Sequence, residues 1–275
     1  LPDSGDKGPE RTKNKGKRCV WCDNIDPDVM DVMSITAAAD KPSAAEPTVG
    51  GDCDPSPEED DEVRGQLADA ASSVCMKILY AARMARFDLL RAVQGLARWF
   101  TKWTKRQDAE LYRLVCYIHT TKGKKMIGWV ADDIVDIQPH LFSDSDFAGS
   151  EGTQKSASGV HLCLRGPRTC FPLSGQCKNQ GCVSQSTTEA ELVAGALALK
   201  AAGVPVLIIM QIIKAASKLR GDATTALHFQ VYNQAMAAVI RSWRNPTMIH
   251  LSRTPGISIS WLHERCTEED IQFEY

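Results

Sequence analysis

The alternation of apolar and polar residues divides the chain into a helical stretch, a strand-rich stretch and a mixed one. From about Ser72, Val74, Ile78, Leu79 and Ala82, then Leu89, Leu90, Val93, Leu96 and Ala97, recur at helical spacing as far as Phe100. This predicts one long helix or two in tandem. A second helix is predicted over Thr104–Thr120, where Leu111, Leu114, Val115 and Ile118 share one face. Between Lys124 and Phe171 the runs Met126–Val130, Pro139–Ser143 and Gly159–Leu164 are short and bounded by Gly, Asp and Ser, the mark of strands. Thr169–Leu173 adds another, with Gly181–Ser184 as a possible continuation. Ser186-Thr-Thr-Glu189 then opens a helix as a capping box, and a further helix covers Pro205–Lys218. Leu227–Tyr232 reads as a strand, Gln234–Ser242 as a helix and Gly256–Leu262 as a final strand. Strands followed by helices interleaved with strands predict an α/β fold, a mixed sheet with helices on its faces.

Composition changes the picture mainly at the N-terminus. Residues 1–70 hold seven of the 13 prolines, a single aromatic (Trp21) and an acidic run at Glu58–Glu62. Such a segment buries too little apolar area to offset the entropy lost on ordering, so it is predicted to be a disordered linker. It carries 8 Lys/Arg against 17 Asp/Glu, which leaves residues 71–275 at a formal +7 and compatible with an anionic partner. The longest strongly apolar run, Val204–Ile213, is half of the roughly 20 residues needed to span a bilayer, so no membrane role is expected. Ten cysteines scattered through predicted elements, with no secretory signal ahead of them, point to thiols and an intracellular, non-secreted protein. The first residue, Leu1, is read as the start of a fragment of something longer. Cys19 and Cys22 have the spacing of half a zinc site, but no second pair follows at the right distance, and two thiols in a loop is the favoured reading.

The residue types best suited to chemistry stand in Phe142-Ser-Asp-Ser-Asp-Phe-Ala-Gly149, at the end of a predicted strand. Strand alternation puts Asp144 and Asp146 on one face, where two carboxylates suit a divalent cation, although Asp-Ser-Asp also suits a turn. Glu191, in the first turns of the capped helix, is a second carboxylate with no structural duty evident, whereas Glu189 is used by the cap. Asp132-Asp133 precedes these strands and reads as a turn, not as a polymerase acid pair.

Taken together and in order, SDSDFAG (143–149), QKSASGVHLCL (154–164), Ser174-Gly-Gln-Cys-Lys-Asn-Gln180, STTEAELVAG (186–195) and YNQAM (232–236) resemble the ribonuclease H domain of copia-type retrotransposon Pol polyproteins. The segment 78–121 is similar to the helical stretch that ends the reverse transcriptase and connects it to that domain. The resemblance implies a helical connection over 72–122, a ribonuclease H-like domain over 124–265 with a five-stranded mixed sheet and flanking helices, and a tail over 266–275. It also implies two-metal hydrolysis of the RNA strand of RNA–DNA hybrids, with Mg²⁺ or Mn²⁺ held by carboxylates. Asp144 matches the first-strand Asp that bridges the metals, and Glu191 matches the helix Glu; both are expected as metal ligands.

Two other family positions have lost their acids. The Asp of the family's Asp-Asn-Gln falls on Tyr232, and the C-terminal acid falls on Ser258 in Gly256-Ile-Ser258-Ile. The family's Arg-Pro-Asp stands here as Arg86-Phe87-Asp88. Two carboxylates offset only half the charge of two divalent ions, so weak metal binding and impaired catalysis are expected. Lys155, Lys178, Lys102, Lys105 and Arg106 are the candidate nucleic-acid contacts, by charge and motif proximity; taken alone, the cations of the second helix are a solvated face. Three functions stay open: an active ribonuclease H module within a larger Pol polyprotein, a decayed copy that still binds RNA–DNA hybrids, and a structural remnant with no nucleic-acid role.

Overall fold

The computed structural model describes residues 63–149, 153–217, 224–243 and 256–275. Cys19, Cys22 and the acidic run at Glu58–Glu62 lie outside the described residues. Helices α1 (Ala68–Ala85), α2 (Leu90–Ala97) and α3 (Lys105–Thr120) come first. They are followed by β1 (Gln138–Asp146), β2 (Ala157–Arg165) and β3 (Cys170–Asn179). Helices α4 (Thr187–Ala198) and α5 (Val204–Ala216) then precede β4 (Leu227–Gln230), α6 (Gln234–Ser242), α7 (Ile259–Thr267) and β5 (Ile271–Glu274). The sheet order is β3-β2-β1-β4-β5, with β1, β2 and β3 antiparallel in sequence and β4 and β5 parallel to β1. This five-stranded mixed sheet with flanking helices is the architecture that the resemblance implies.

Local chemistry accounts for the helix starts. Thr104 and Gln107 cap α3, with the Thr104 N–H donating to Gln107 Oε1 at 3.1 Å. Ser186 Oγ accepts from the Glu189 N–H at 3.2 Å, while the Glu189 carboxylate reaches one residue further back than a simple box and accepts from the Gln185 N–H at 2.8 Å. The predicted single or tandem N-terminal helix is two helices, broken at Arg86, where a 3₁₀ turn over Phe87–Leu89 redirects the chain. Arg86 pairs with Asp88 at 2.7 Å and donates to Thr121 Oγ1 at 2.8 Å, and the Tyr117 hydroxyl donates to Asp88 at 3.0 Å. This half-buried network ties the break to the end of α3.

Four expectations are corrected. Residues 63–70 are not part of a disordered linker: the Gly65 N–H donates to Trp103 O at 3.1 Å, and α1 begins at Ala68, because an alanine-rich turn follows the acidic run. Met126–Val130 makes only an isolated bridge, Trp129 to Cys170. Gly256–Leu262 is not the final strand, since Ser258 accepts from the Trp261 N–H at 3.1 Å and caps α7. The final strand lies instead within the predicted tail, with Ile271–Glu274 pairing with β4. Asp132 does sit in a turn, where its carboxylate accepts from the Arg168 N–H at 2.7 Å. None of the cysteines among the described residues is in a disulfide.

The main core lies between the sheet and α4, α5, α6 and α7 and is built around Leu141, Leu192, Leu199, Leu227, Phe229 and Met236. Helices α4 and α5 run on through a π-helical turn, Leu199–Gly203, to make one stretch, Thr187–Ala216, that is long and apolar enough to cross a membrane. Half of its apolar window is buried against the domain. A second core of Ala71, Cys75, Ala82, Leu90, Val93, Trp103, Leu111 and Leu114 joins the three N-terminal helices, with Cys177 of β3 packed against it.

Close approach between the long helix and the sheet depends on small residues. A Cβ at Gly203 would stand 2.8 Å from Leu141 Cδ2 and 3.0 Å from Leu227 Cδ2. Gly203→Val is therefore expected to lower stability by about 1–3 kcal/mol through overpacking, read as a shift in the urea midpoint. An unchanged midpoint would mean that the helix is free to lift off the sheet.

Candidate functional site

Asp144 and Glu191 meet at the C-terminal end of β1, although 47 residues separate them in sequence. Along α4 and into the π-helical turn, Glu191, Gly195 and Leu199 follow at four-residue spacing and so share the helix face turned to the sheet. Gly195 marks where that face lands: a Cβ there would lie 3.8 Å from Ser143 Oγ, next to Asp144, 3.4 Å from Phe229 Cζ and closer still to the end of the Met236 side chain on α6. The start of α4 is also anchored to β2. Buried Gln180 donates to Ser158 Oγ at 3.0 Å and to Ala190 O at 2.9 Å, while the Ser184 hydroxyl donates to Gln180 Oε1 at 3.0 Å.

The two carboxyl groups differ in setting. Asp144 is exposed, whereas Glu191 is half-buried. Burial pushes the Glu191 carboxyl up to about 7, and the neighbouring Asp144 charge and side-chain hydrogen bond push in the same direction; a backbone hydrogen bond from Ser145 pulls the other way. A half-buried acid held near neutrality beside a second carboxylate can bind a proton or receive a cation.

The other predicted positions are distributed differently. The last register pair of β1 and β4 is Phe142 with Gln230, so two residues further on stand Asp144, still in β1, and Tyr232, just past the end of β4. The neighbour of Asp144 on that side is thus a largely exposed phenol. Asn233 beside it caps α6, its Oδ1 accepting from the Met236 N–H at 2.8 Å. Ser258 is engaged in capping α7, which packs on α6 and β5. Among the described residues no group of three or more His, Cys, Asp or Glu side chains is placed to hold a metal ion.

Asp146, two residues further along β1, binds Arg91 of α2. Lys178 shares a register row with Ser158 and Ser145, which puts its backbone about 10 Å from β1 across two strand spacings. Lys155 precedes β2 by two residues, on the same end of the sheet as Asp146, which pairs with Ala157. Lys102, Lys105 and Arg106 lie at the start of α3, which packs on α2, and are not brought beside Asp144; Arg106 pairs with Glu110 at 3.3 Å. Sequence reasoning missed Arg91 and Gln94, whose partners on β1 and β3 are distant in sequence and follow no motif.

The raised Glu191 carboxyl has a defined consequence for stability. The folded chain holds this proton more tightly than the unfolded chain, whose value is near 4.5, so the contribution to stability falls as pH rises from about 4.5 to about 7 and stays lost above that. Glu191→Gln removes the slope. In metal-free buffer the variant is expected to gain roughly 1–2 kcal/mol over the unchanged chain at pH 8 and nothing at pH 4, measured by urea denaturation. An equal effect at both pH values would contradict the assignment.

No protein-family model matches the chain. Over 134 residues, 48% of this chain, it is 29% identical to the retrovirus-related Pol polyprotein from transposon TNT 1-94 of Nicotiana tabacum, and it spans about 10% of that protein. Among solved structures it aligns with ribonuclease H1 of the halophilic archaeon Halobacterium salinarum NRC-1 at 13% identity and a TM-score of 0.28, covering 50% of this chain and 81% of that one. It also aligns with a foamy viral protease-reverse transcriptase solved with an RNA/DNA hybrid, at 11% identity and a TM-score of 0.40, covering 76% and 24%. With the sheet and acid pair in view, the chain is similar to a segment of a retrotransposon Pol polyprotein and folds as a five-stranded mixed sheet with flanking helices.

Proposed function

We propose that this segment is a nucleic-acid-binding, ribonuclease H-like module of a copia-type Pol polyprotein whose metal-dependent cleavage of RNA–DNA hybrids is impaired. The observation that carries the reading is the pairing of Asp144 with Glu191, with Tyr232 just past the end of the neighbouring strand at the position that the resemblance assigns to a third acid. Two divalent cations bring about four positive charges, and hard cations of this kind seek several oxygen ligands each. The described donors are two carboxylates, one of which keeps its proton up to about 7, and the Tyr232 phenol. That donor set does not fit two Mg²⁺ or Mn²⁺ ions.

Binding draws on different residues. Lys155 and Lys178 stand at the same end of the sheet as the acid pair, and residues 71–275 carry a formal +7. Phosphate contacts by such cations release counterions, so affinity for a hybrid falls steeply as salt rises.

The test uses the full chain with an RNA–DNA hybrid in Mg²⁺ or Mn²⁺. The unchanged protein is expected to bind the hybrid in a salt-dependent manner and to cleave it at least about 100-fold more slowly than Tyr232→Asp, in line with the worth of one electrostatic group at a reacting centre. Lys178→Ala should weaken binding and reduce the salt slope by about one phosphate contact. Efficient cleavage by the unchanged chain that vanishes in Asp144→Asn would overturn the impaired reading. Absence of salt-dependent binding would favour a structural remnant.

A further inference from the structure

The loop after β1 is held from outside the sheet. The Asp146 carboxylate lies over Gly149, in the space that a Cβ there would need, and pairs with Arg91 on α2. Ala148, between them, has a positive φ of 52°, and its N–H donates to buried Ser156 Oγ at 3.1 Å. An L-residue in that conformation is kept there by its surroundings.

Arg91 is itself oriented. It donates to Gln94 Oε1 at 2.9 Å, and Gln94, 8% exposed, bonds to Asn179 Oδ1 on β3. One turn earlier, Phe87 and Leu90 fill the space over Gly175, where a Cβ would stand 2.9 Å from the Phe87 ring and 3.0 Å from Leu90 Cδ1. Phe87 meets His161 of β2 edge-on, with ring centroids 5.5 Å apart. The helix carrying Arg91 is therefore seated on β2 and β3 independently of the ion pair.

The geometry points to Arg91 as a positioning residue for the acid pair: from a seat fixed by β3 it holds Asp146, and with it the end of β1 that presents Asp144 to Glu191. Importance for function rests on the reading of Asp144 and Glu191 as the site, but the positioning is measurable without metal or nucleic acid.

The experiment compares the full chain with Arg91→Ala, Arg91→Lys and the charge-exchanged pair Arg91→Asp/Asp146→Arg by NMR. Arg91→Ala is expected to speed amide exchange at Phe147, Ala148 and Gly149 about 2- to 5-fold, the range for an exposed ion pair. It should also shift the carboxyl carbon resonances of Asp144 and Glu191 while the thermal midpoint stays put. Arg91→Lys and the exchanged pair should restore both signals. The proposal is overturned by unchanged exchange and resonances in Arg91→Ala, by faster exchange spread over the whole domain, or by a local change that neither rescue reverses. Loss of hybrid binding by the unchanged protein would sink the functional reading and leave this result standing.

Discussion

How closely the long helix approaches the sheet decides where everything else lies. Gly203 meets Leu141 of β1 and Leu227 of β4 at distances that leave no room for a Cβ, and eight residues earlier Gly195 lies at van der Waals distance from Ser143 and Phe229. A larger residue at Gly203 would press the helix away from the sheet and, with it, disturb the approach of Glu191 to Asp144. The buried Gln180 network ties the same helix to β2, so its height and its axial position are both set by the core. Only because packing fixes both do two carboxyl groups stay in contact against their own repulsion.

That enforced contact explains the character of the site. In water two carboxylates separate, whereas here burial of one and closeness of the other are met by retaining a proton. The cost is tolerated because Asp144 stays exposed and solvent screens its charge. An acid in place of Tyr232 would add a third negative charge beside this pair and sharpen the repulsion.

Much of this was legible in the amino-acid order. The alternation at Pro139–Ser143 and Gly159–Leu164, the Ser186 cap and the placement of Asp144 and Glu191 all rest on local patterns, and local patterns survive folding. The errors fall where a local signal competes with a distant partner. Ile257 and Ile259 alternate like a strand, yet Ser258 finds the Trp261 amide and starts a helix. Ile271–Glu274 is too short and polar to announce itself, and only its pairing with β4 makes it a strand. Arg91 reads as one more solvated cation until β1 supplies Asp146. Tyr232 and Ser258 draw attention only through the resemblance to the family pattern, because nothing in a lone tyrosine or serine marks a site position.

Gly175 gives the fold an unexpected seam. It lies in the middle of β3, and the side chains that fill the space above it come from Phe87 and Leu90, on the far side of the connecting stretch 121–137. The natural place to divide such a chain is that connector, yet cutting there would uncover a sheet face with Cys177 on it and strand the apolar residues that now cover it. A break or fusion in the connector thus separates two halves of one hydrophobic surface. The unit that recombination can carry intact, or that a truncation can leave soluble, begins before α1 rather than before β1.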